Sequence, residues 1–162
     1  MAADQQLDKI DHAILEALQA NCSLSYTELA QRVHLSATPC ARRVKLLEDR
    51  GYFRGRVMLL DPDRVGLPVN VFVQVTLHHQ VKANLQAFEQ AVAQWPEVME
   101  CYLMTGDFDY LMRVVVPDLR SYQRFLDESL TPTPGIDNIR SSFSIKQVAY
   151  RTALPLNHLI PE

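Results

Sequence analysis

The stretch Tyr26 to Gly51, YTELAQRVHLSATPCARRVKLLEDRG, decides how the N-terminal part of the chain folds. It reads as two short capped helices joined by a tight turn. Ser25 with Glu28 three residues on forms a capping box, in which each side chain can satisfy an orphan amide of the first turn. A helix therefore starts there and runs to about Val33, with Leu29, Ala30 and Val33 as its apolar stripe. His34-Leu35 supplies the turn, and Ser36 offers the N-cap of the second helix. Pro39 lies in that helix's first turn, where a missing amide costs little, and Gly51 is its C-cap candidate.

The second helix separates its faces. Cys40, Val44 and Leu47 share one stripe, while Thr38, Arg42 and Lys45 repeat the same spacing on the other side. Held by its apolar stripe against a small helical core, this helix would present Thr38, Arg42 and Lys45 to a DNA groove. There arginine can bond guanine in a bidentate fork, and lysine or threonine can reach phosphate or base edges. Ser36 stands at the entry of the same helix, and Arg43 on its shoulder suits a backbone phosphate or a structural ion pair. The bland alternative is a set of solvated charges. Charge placement argues against it: the whole chain carries a net charge of -3, yet Arg32, Arg42, Arg43, Lys45, Arg50, Arg54 and Arg56 locally outweigh Glu48 and Asp49. A focused basic patch on an acidic body is the footprint of a specific DNA binder rather than of a general nucleic-acid sponge.

The remaining elements fall on either side of this motif. Upstream, Leu7-Asp8-Lys9-Ile10-Asp11 opens a helix capped by Asp8, with Ile10, Ile14, Leu15 and Leu18 facing inward, which supplies the third helix of the motif. Downstream, Tyr52 to Leu60 has the composition of a short strand or strand pair, a wing on which Arg54 and Arg56 can straddle a phosphate backbone. Asp61-Pro62 through Gly66-Leu67-Pro68 breaks the pattern with turn residues. Domain boundaries are therefore expected at 1–60 for the helix-turn-helix domain, 61–68 for a linker and 69–162 for a second domain.

In that second part the period changes. Val69 to Leu77 alternates as a strand, Leu85, Phe88, Val92 and Trp95 form a helical stripe, and Val98 to Thr105 and Tyr110 to Val116 read as a hairpin around Gly106-Asp107-Phe108-Asp109. Asp118 caps a further helix, and Ile139 to Tyr150 returns to strand composition. The order βαββαβ predicts a ferredoxin-like antiparallel sheet with two helices, so the whole chain is an α+β protein: an N-terminal winged helix-turn-helix followed by that domain. Two helices cover one sheet face only. Tyr102, Met104, Tyr110, Met112 and Val114 at one parity, and Cys101, Leu103, Leu111 and Val115 at the other, make both faces apolar, so the uncovered face is expected to meet a second copy.

The hairpin has its own chemistry. Amides of a tight glycine-containing turn can hold a carboxylate, and Asp107 or Asp109 can hold an ammonium, which together suit a zwitterion. Leu103, Met104, Phe108 and Leu119 can receive an aliphatic side chain, with Thr105 and Gly106 completing the loop. The same aspartates are equally common as plain turn residues.

In its Leu7-Asp8-Lys9-Ile10-Asp11 opening, its Leu35-Ser36-Ala37-Thr38-Pro39-Cys40 entry, its Arg43-Val44 and Leu47-Glu48 with Gly51, and its Gly106-Asp107-Phe108-Asp109-Tyr110 hairpin, the chain resembles the leucine-responsive/AsnC family of transcription regulators over nearly its whole length. The resemblance implies a DNA-binding dimer that assembles further, often to octamers. It also implies an amino-acid effector, leucine or methionine in the first instance, bound near that hairpin where dimers meet.

Other classes leave weaker marks. No nucleophile-base pairing, Gly-rich phosphate loop or H-E-x-x-H motif points to an enzyme, and no cofactor is expected. A metal-responsive repressor would need Cys22, Cys40, Cys101 and the histidines, but these cysteines are scattered and His78 and His79 point apart at a strand end. An amino-acid-binding module without DNA function leaves the basic helix unexplained. No long apolar run or secretory leader pattern is seen, so a cytoplasmic protein without a membrane span is expected.

Overall fold

The computed structural model describes residues 7–79 and 81–159. The chain divides into two compact units: Met1–Met58 with Ala149–Glu162, and Leu59–Val148.

The first unit contains α1 (Lys9–Ala20), α2 (Tyr26–Arg32) and α3 (Ala37–Asp49). Each helix is delimited by the physics of its end groups. Asp8 accepts from the amides of Ile10 and Asp11 and, with Asp11 bonding back, closes a capping box on α1. Ser25 and Glu28 close another on α2. Ser36 occupies the N-cap of α3 as expected, but its side chain makes no capping bond. The turn between α2 and α3 is a Schellman closure: Leu35 N–H bonds Ala30 C=O at 2.9 Å and His34 N–H bonds Gln31 C=O, with His34 left-handed at φ 55°. Gly51 ends α3 the same way at φ 76°, with Tyr52 N–H on Leu47 C=O. Ile14, Leu29, Cys40, Val44 and Leu47 lie at the centre of this unit's core.

Two expectations change here. Tyr52 to Leu60 carries no strand, and Val57, Met58, Leu59 and Leu60 are exposed. Local β-propensity cannot make a strand without a ladder partner, and none is found for this segment among the described residues. The C-terminal tail, expected to belong to the second domain, groups with the helices of the first unit, where Leu156 and Leu159 pack against the helical core. The 61–68 segment falls within the second unit, folded on itself by Asp61, whose carboxylate accepts from the amides of Asp63 and Arg64.

The second unit contains β1 (Val69–Leu77), α4 (Lys82–Val92), β2 (Val98–Leu103), β3 (Tyr110–Val116), α5 (Leu119–Phe125) and β4 (Ile136–Phe143), with one π-helical turn at Leu126–Leu130. The sheet order is β2-β3-β1-β4, with each neighbouring pair antiparallel. Strand β4 starts before the expected Ile139 and stops at Phe143, well short of Tyr150. Val71, Val73, Val75, Met112 and Val114 form one buried face, packed with Phe88, Tyr122 and Phe125 from the helices. Phe88 stacks at 4.6 Å on Tyr110, which knits α4 to β3.

The parity assumed for β2 is wrong. The hairpin register pairs Cys101 with Met112 and Tyr102 with Leu111, so Cys101 and Leu103 share the helix-covered face while Tyr102 joins Leu111 on the open one. An odd sum of paired residue numbers reverses parity from one strand to the next, and near the turn the loop length decides whether the sum is odd, until the irregularity between Val98 and Glu100 shifts it. The open face is mixed in character. Phe72, Tyr102, Leu111 and Val115 surround Arg113, whose guanidinium holds Glu100 at 2.8 Å. The hydroxyl of Tyr102 bonds Glu100 and, with Arg113, keeps its carboxyl below the ordinary range against the opposing effect of desolvation.

Candidate nucleic-acid interface and effector-binding end

On α3, packing sorts the side chains. Cys40, Val44 and Leu47 are buried, whereas Thr38, Arg42 and Lys45 are exposed. Lys45 lies 3.8 Å from Asp49 with both side chains largely in solvent, a loose pair that a phosphate can replace. Arg42 makes no ion pair among the described residues. With Thr38, Pro39, Leu46, Leu47, Arg50 and the cluster of Arg43 with Asp8 and Asp11 it lines a groove of about 700 Å³. Arg56 reaches back to Glu48 at 3.0 Å, and Arg54 is exposed.

Arg43 behaves differently. Its Nη1 lies 2.7 Å from both Asp8 Oδ2 and Asp11 Oδ1, so it ties the N-terminus of α1 to α3. Hydrogen bonds from Arg43 to Asp11 and Asp8 raise its own pKa. Desolvation pushes Asp8 up, but the Asp11 amide and the Arg43 guanidinium outweigh it and leave its carboxyl lowered. Of the two roles open to Arg43 from sequence, the structural ion pair is the one the chain adopts. The signal was present in Asp8 and Asp11: two carboxylates three apart on one helical turn, each using one oxygen in the capping box and leaving the other for a cation.

The hairpin end of the sheet is also sorted by burial. Asp109 is 3% exposed. Its Oδ2 accepts from Leu77 N–H at 2.7 Å, its own N–H donates to Val75 C=O, and its C=O accepts from Met104 N–H at 2.8 Å. It thereby joins the ends of β1, β2 and β3, and its carboxylate belongs to the fold's own hydrogen bonding. Leu103, Met104, Thr105, Gly106 and Asp107 are exposed around the tip, and Phe108 is half-buried beneath it. Gly106 has φ 122°, a conformation that disfavours any side chain. Leu119 does not join them: it follows β3, whose seven residues place it roughly 20 Å from the hairpin at about 3.3 Å per residue. Sequence reading weighed His78 only as a metal ligand and did not find its partner: its Nδ1 lies 3.1 Å from Asp137 at this same end of the sheet. These residues close β1 and open β4, and only the sheet order brings them together.

Comparison with known proteins settles what this pairing of units is. Residues 7–54 match a winged helix-turn-helix DNA-binding family, and residues 70–154 match the Lrp/AsnC ligand binding domain. The chain belongs to the Lrp/AsnC family. It is therefore a DNA-binding transcription regulator with a ligand-binding domain of the Lrp/AsnC type, and not an enzyme. It is 46% identical to the Bkd operon transcriptional regulator of Pseudomonas aeruginosa, over 93% of this chain and 99% of that protein. With the DNA-binding transcriptional activator DecR of Escherichia coli it shares 41% identity, over 93% and 99%. A transcriptional regulator from Neisseria meningitidis, solved as its L-Met complex, superposes with a TM-score of 0.91 at 40% identity, covering 95% of this chain and 99% of that one. In this Lrp/AsnC chain no helix among the described residues is long and apolar enough to cross a membrane. No group of three or more His, Cys, Asp or Glu side chains among those residues is placed to hold a metal ion.

Proposed function

We propose that this Lrp/AsnC regulator reads a specific operator with α3, through Thr38, Arg42 and Lys45, while Ser36, Arg54 and Arg56 meet the phosphate backbone. The carrying observation is the contrast between adjacent arginines: Arg43 is held by two carboxylates, and Arg42 is exposed without an ion-pair partner among the described residues. A guanidinium without an internal partner loses no ion pair when it turns to a base edge. Arg43 then acts by holding α3 rather than by touching DNA.

The effector is an aliphatic amino acid, methionine first and leucine second, bound about the tip from Leu103 to Phe108. Support comes from the exposed apolar side chains there, the open Gly106 turn and the exposed Asp107 carboxylate. The 40%-identical Neisseria regulator carries L-Met. Asp107, not Asp109, supplies the ammonium contact. Two copies pair through the open sheet face around Phe72, Tyr102, Leu111 and Val115, and dimers assemble further, to octamers, in the cytoplasm. A two-fold pair of α3 helices then reads an approximate palindrome.

Calorimetry with L-methionine and L-leucine on the wild type and on Asp107→Ala tests the effector site, with weaker binding expected in the variant. Equal affinity in both proteins places the site elsewhere. Sedimentation of the full chain tests the assembly, and a monomer at micromolar concentration refutes it.

A further inference from the structure

The tail is fastened to α1 by more than apolar contact. The Gln19 side-chain amide clamps the backbone of Leu154 in both directions, accepting from Leu154 N–H at 2.7 Å and donating to Leu154 C=O at 3.3 Å. About two turns earlier on the same helix, His12 is 6% exposed, and its Nε2 lies 3.2 Å from the carbonyl oxygen of Leu156. Leu156 and Leu159 pack on the helical core, and a short 3-10 turn, Asn157–Leu159, seats the second of them. A backbone segment with no secondary-structure partner is thus held by two side chains of one helix. Neither Gln19 nor His12 is needed by the helix itself, whose ends are closed by Asp8 and by the amide of Asn21.

Helix α1 is also the element that grips α3, through Asp8 and Asp11 on Arg43. We propose that residues 152–159 form a strap that sets the posture of α1 and, through that ion pair, of the recognition helix. Gln19 and His12 are accordingly positioning residues for DNA binding. The proposal rests on the reading of α3 as the helix that contacts DNA. Its chain of action runs from tail to Gln19 and His12, along a rigid twelve-residue helix, to the Asp8 and Asp11 carboxylates, and from them to Arg43 beside Arg42. Chain connectivity adds a consequence: the strap follows directly on the segment leaving β4 of the ligand-binding domain, so both ends of that domain lead into the DNA-binding unit.

The test uses the full chain and a duplex selected from random-sequence DNA by the wild-type protein. Hydrogen exchange at the Leu154 amide reports the clamp, and fluorescence anisotropy reports DNA affinity. In Gln19→Ala the amide should exchange at least about tenfold faster, and DNA affinity should fall on the order of threefold to tenfold, the range that the loss of one or two net hydrogen bonds produces. Leu156→Asp, which expels the strap without touching α1, should give the same loss. Adding a peptide of residues 150–162 in trans to a chain truncated after Arg151 should restore affinity, which a general loss of stability would not allow.

The decisive readout is coupling: because the strap acts through Arg43, the double variant Gln19→Ala/Arg43→Ala should bind within about twofold of the weaker single variant, where independent effects would add. Unchanged exchange in Gln19→Ala overturns the proposal. So does released exchange with DNA affinity within twofold of wild type, or additive losses. Arg42→Ala is the separate arm: wild-type affinity there means α3 is not the reader, and that reading falls whatever the strap does.

Discussion

Replacing Arg43 with alanine should cost stability, and replacing its neighbour Arg42 should cost only DNA binding. Arg43 makes two charge-assisted bonds of 2.7 Å, to Asp8 and Asp11. Bonds of this kind contribute about 1.5–3 kcal/mol each where water is excluded. Here the Arg43 side chain is 31% exposed and the carboxylates are 48% and 15% exposed, so solvent screening reduces the pair of contacts to roughly 1–2 kcal/mol. For a unit of this size, each kcal/mol shifts the melting temperature by about 4–8 °C. Arg43→Ala should therefore lower the melting temperature of the helical unit by on the order of 5–15 °C. Arg42→Ala, with no ion pair among the described residues to lose, should stay within about 0.5 kcal/mol of wild type while weakening specific DNA binding by roughly 1–3 kcal/mol.

The pH dependence adds a sign. The Asp8 carboxyl is lowered in the folded state, so its contribution is fully present above the ordinary aspartate value near ~3.9 and fades as pH falls through its folded-state value. The stability difference between wild type and Arg43→Ala should accordingly shrink as pH falls below the ordinary aspartate value. Urea unfolding followed by circular dichroism at pH 7 and pH 3, beside mobility-shift titration, separates the quantities. Equal stability of Arg43→Ala and wild type at pH 7, with a loss of DNA affinity matching that of Arg42→Ala, would refute the division of roles.

Asp109→Ala should destabilise the ligand-binding domain by about 1–3 kcal/mol, because it orphans the Leu77 amide, whereas Asp107→Ala should leave urea midpoints unchanged. Matching midpoints for the two variants would contradict the assigned roles. His34→Gly should stabilise the helical unit by on the order of 0.5–1 kcal/mol, since a left-handed residue loses its side-chain clash, and a lower melting temperature would count against that account. With a thiol reagent at pH 8 and protein folded, exposed Cys22 should react first. Cys101, pushed up to about 11 by burial and by Glu89, should lag, and buried Cys40 should wait for unfolding. Simultaneous labelling of all three would show the two units opening together.

What was legible in the sequence was whatever local physics sets alone. The capping box at Ser25 and Glu28, the Gly51 closure and the Cys40-Val44-Leu47 stripe lie within a few residues of their partners, and all three stand as read. The βαββαβ order was legible for the same reason. What the sequence left open or misread is mostly long-range. Arg43 finds its partners 32 and 35 residues away, and the tail finds α1 across 135 or more. The β2 parity failed because it depends on a turn length whose register no single strand encodes. Leu119 failed because apolar character says nothing about which end of a strand a residue follows.

Asp109 shows why such a site is hard to read from a motif. Two carboxylates two residues apart in a Gly-Asp-Phe-Asp turn offer the same chemistry on paper. The fold distinguishes them by geometry: β1, β2 and β3 converge at position 109, where a buried acceptor is needed for Leu77 N–H, while position 107 is exposed at the tip. A buried amide without an acceptor costs about as much as the whole net value of several exposed contacts, so the inner carboxylate is committed to structure. On the effector reading proposed above, that commitment serves the outer one. Tied at its base by three strand ends, the hairpin carries the exposed residues 105–107 on a braced frame. A ligand that meets Asp107 and the Gly106 turn then orders little backbone on binding, and more of its interaction energy remains as affinity.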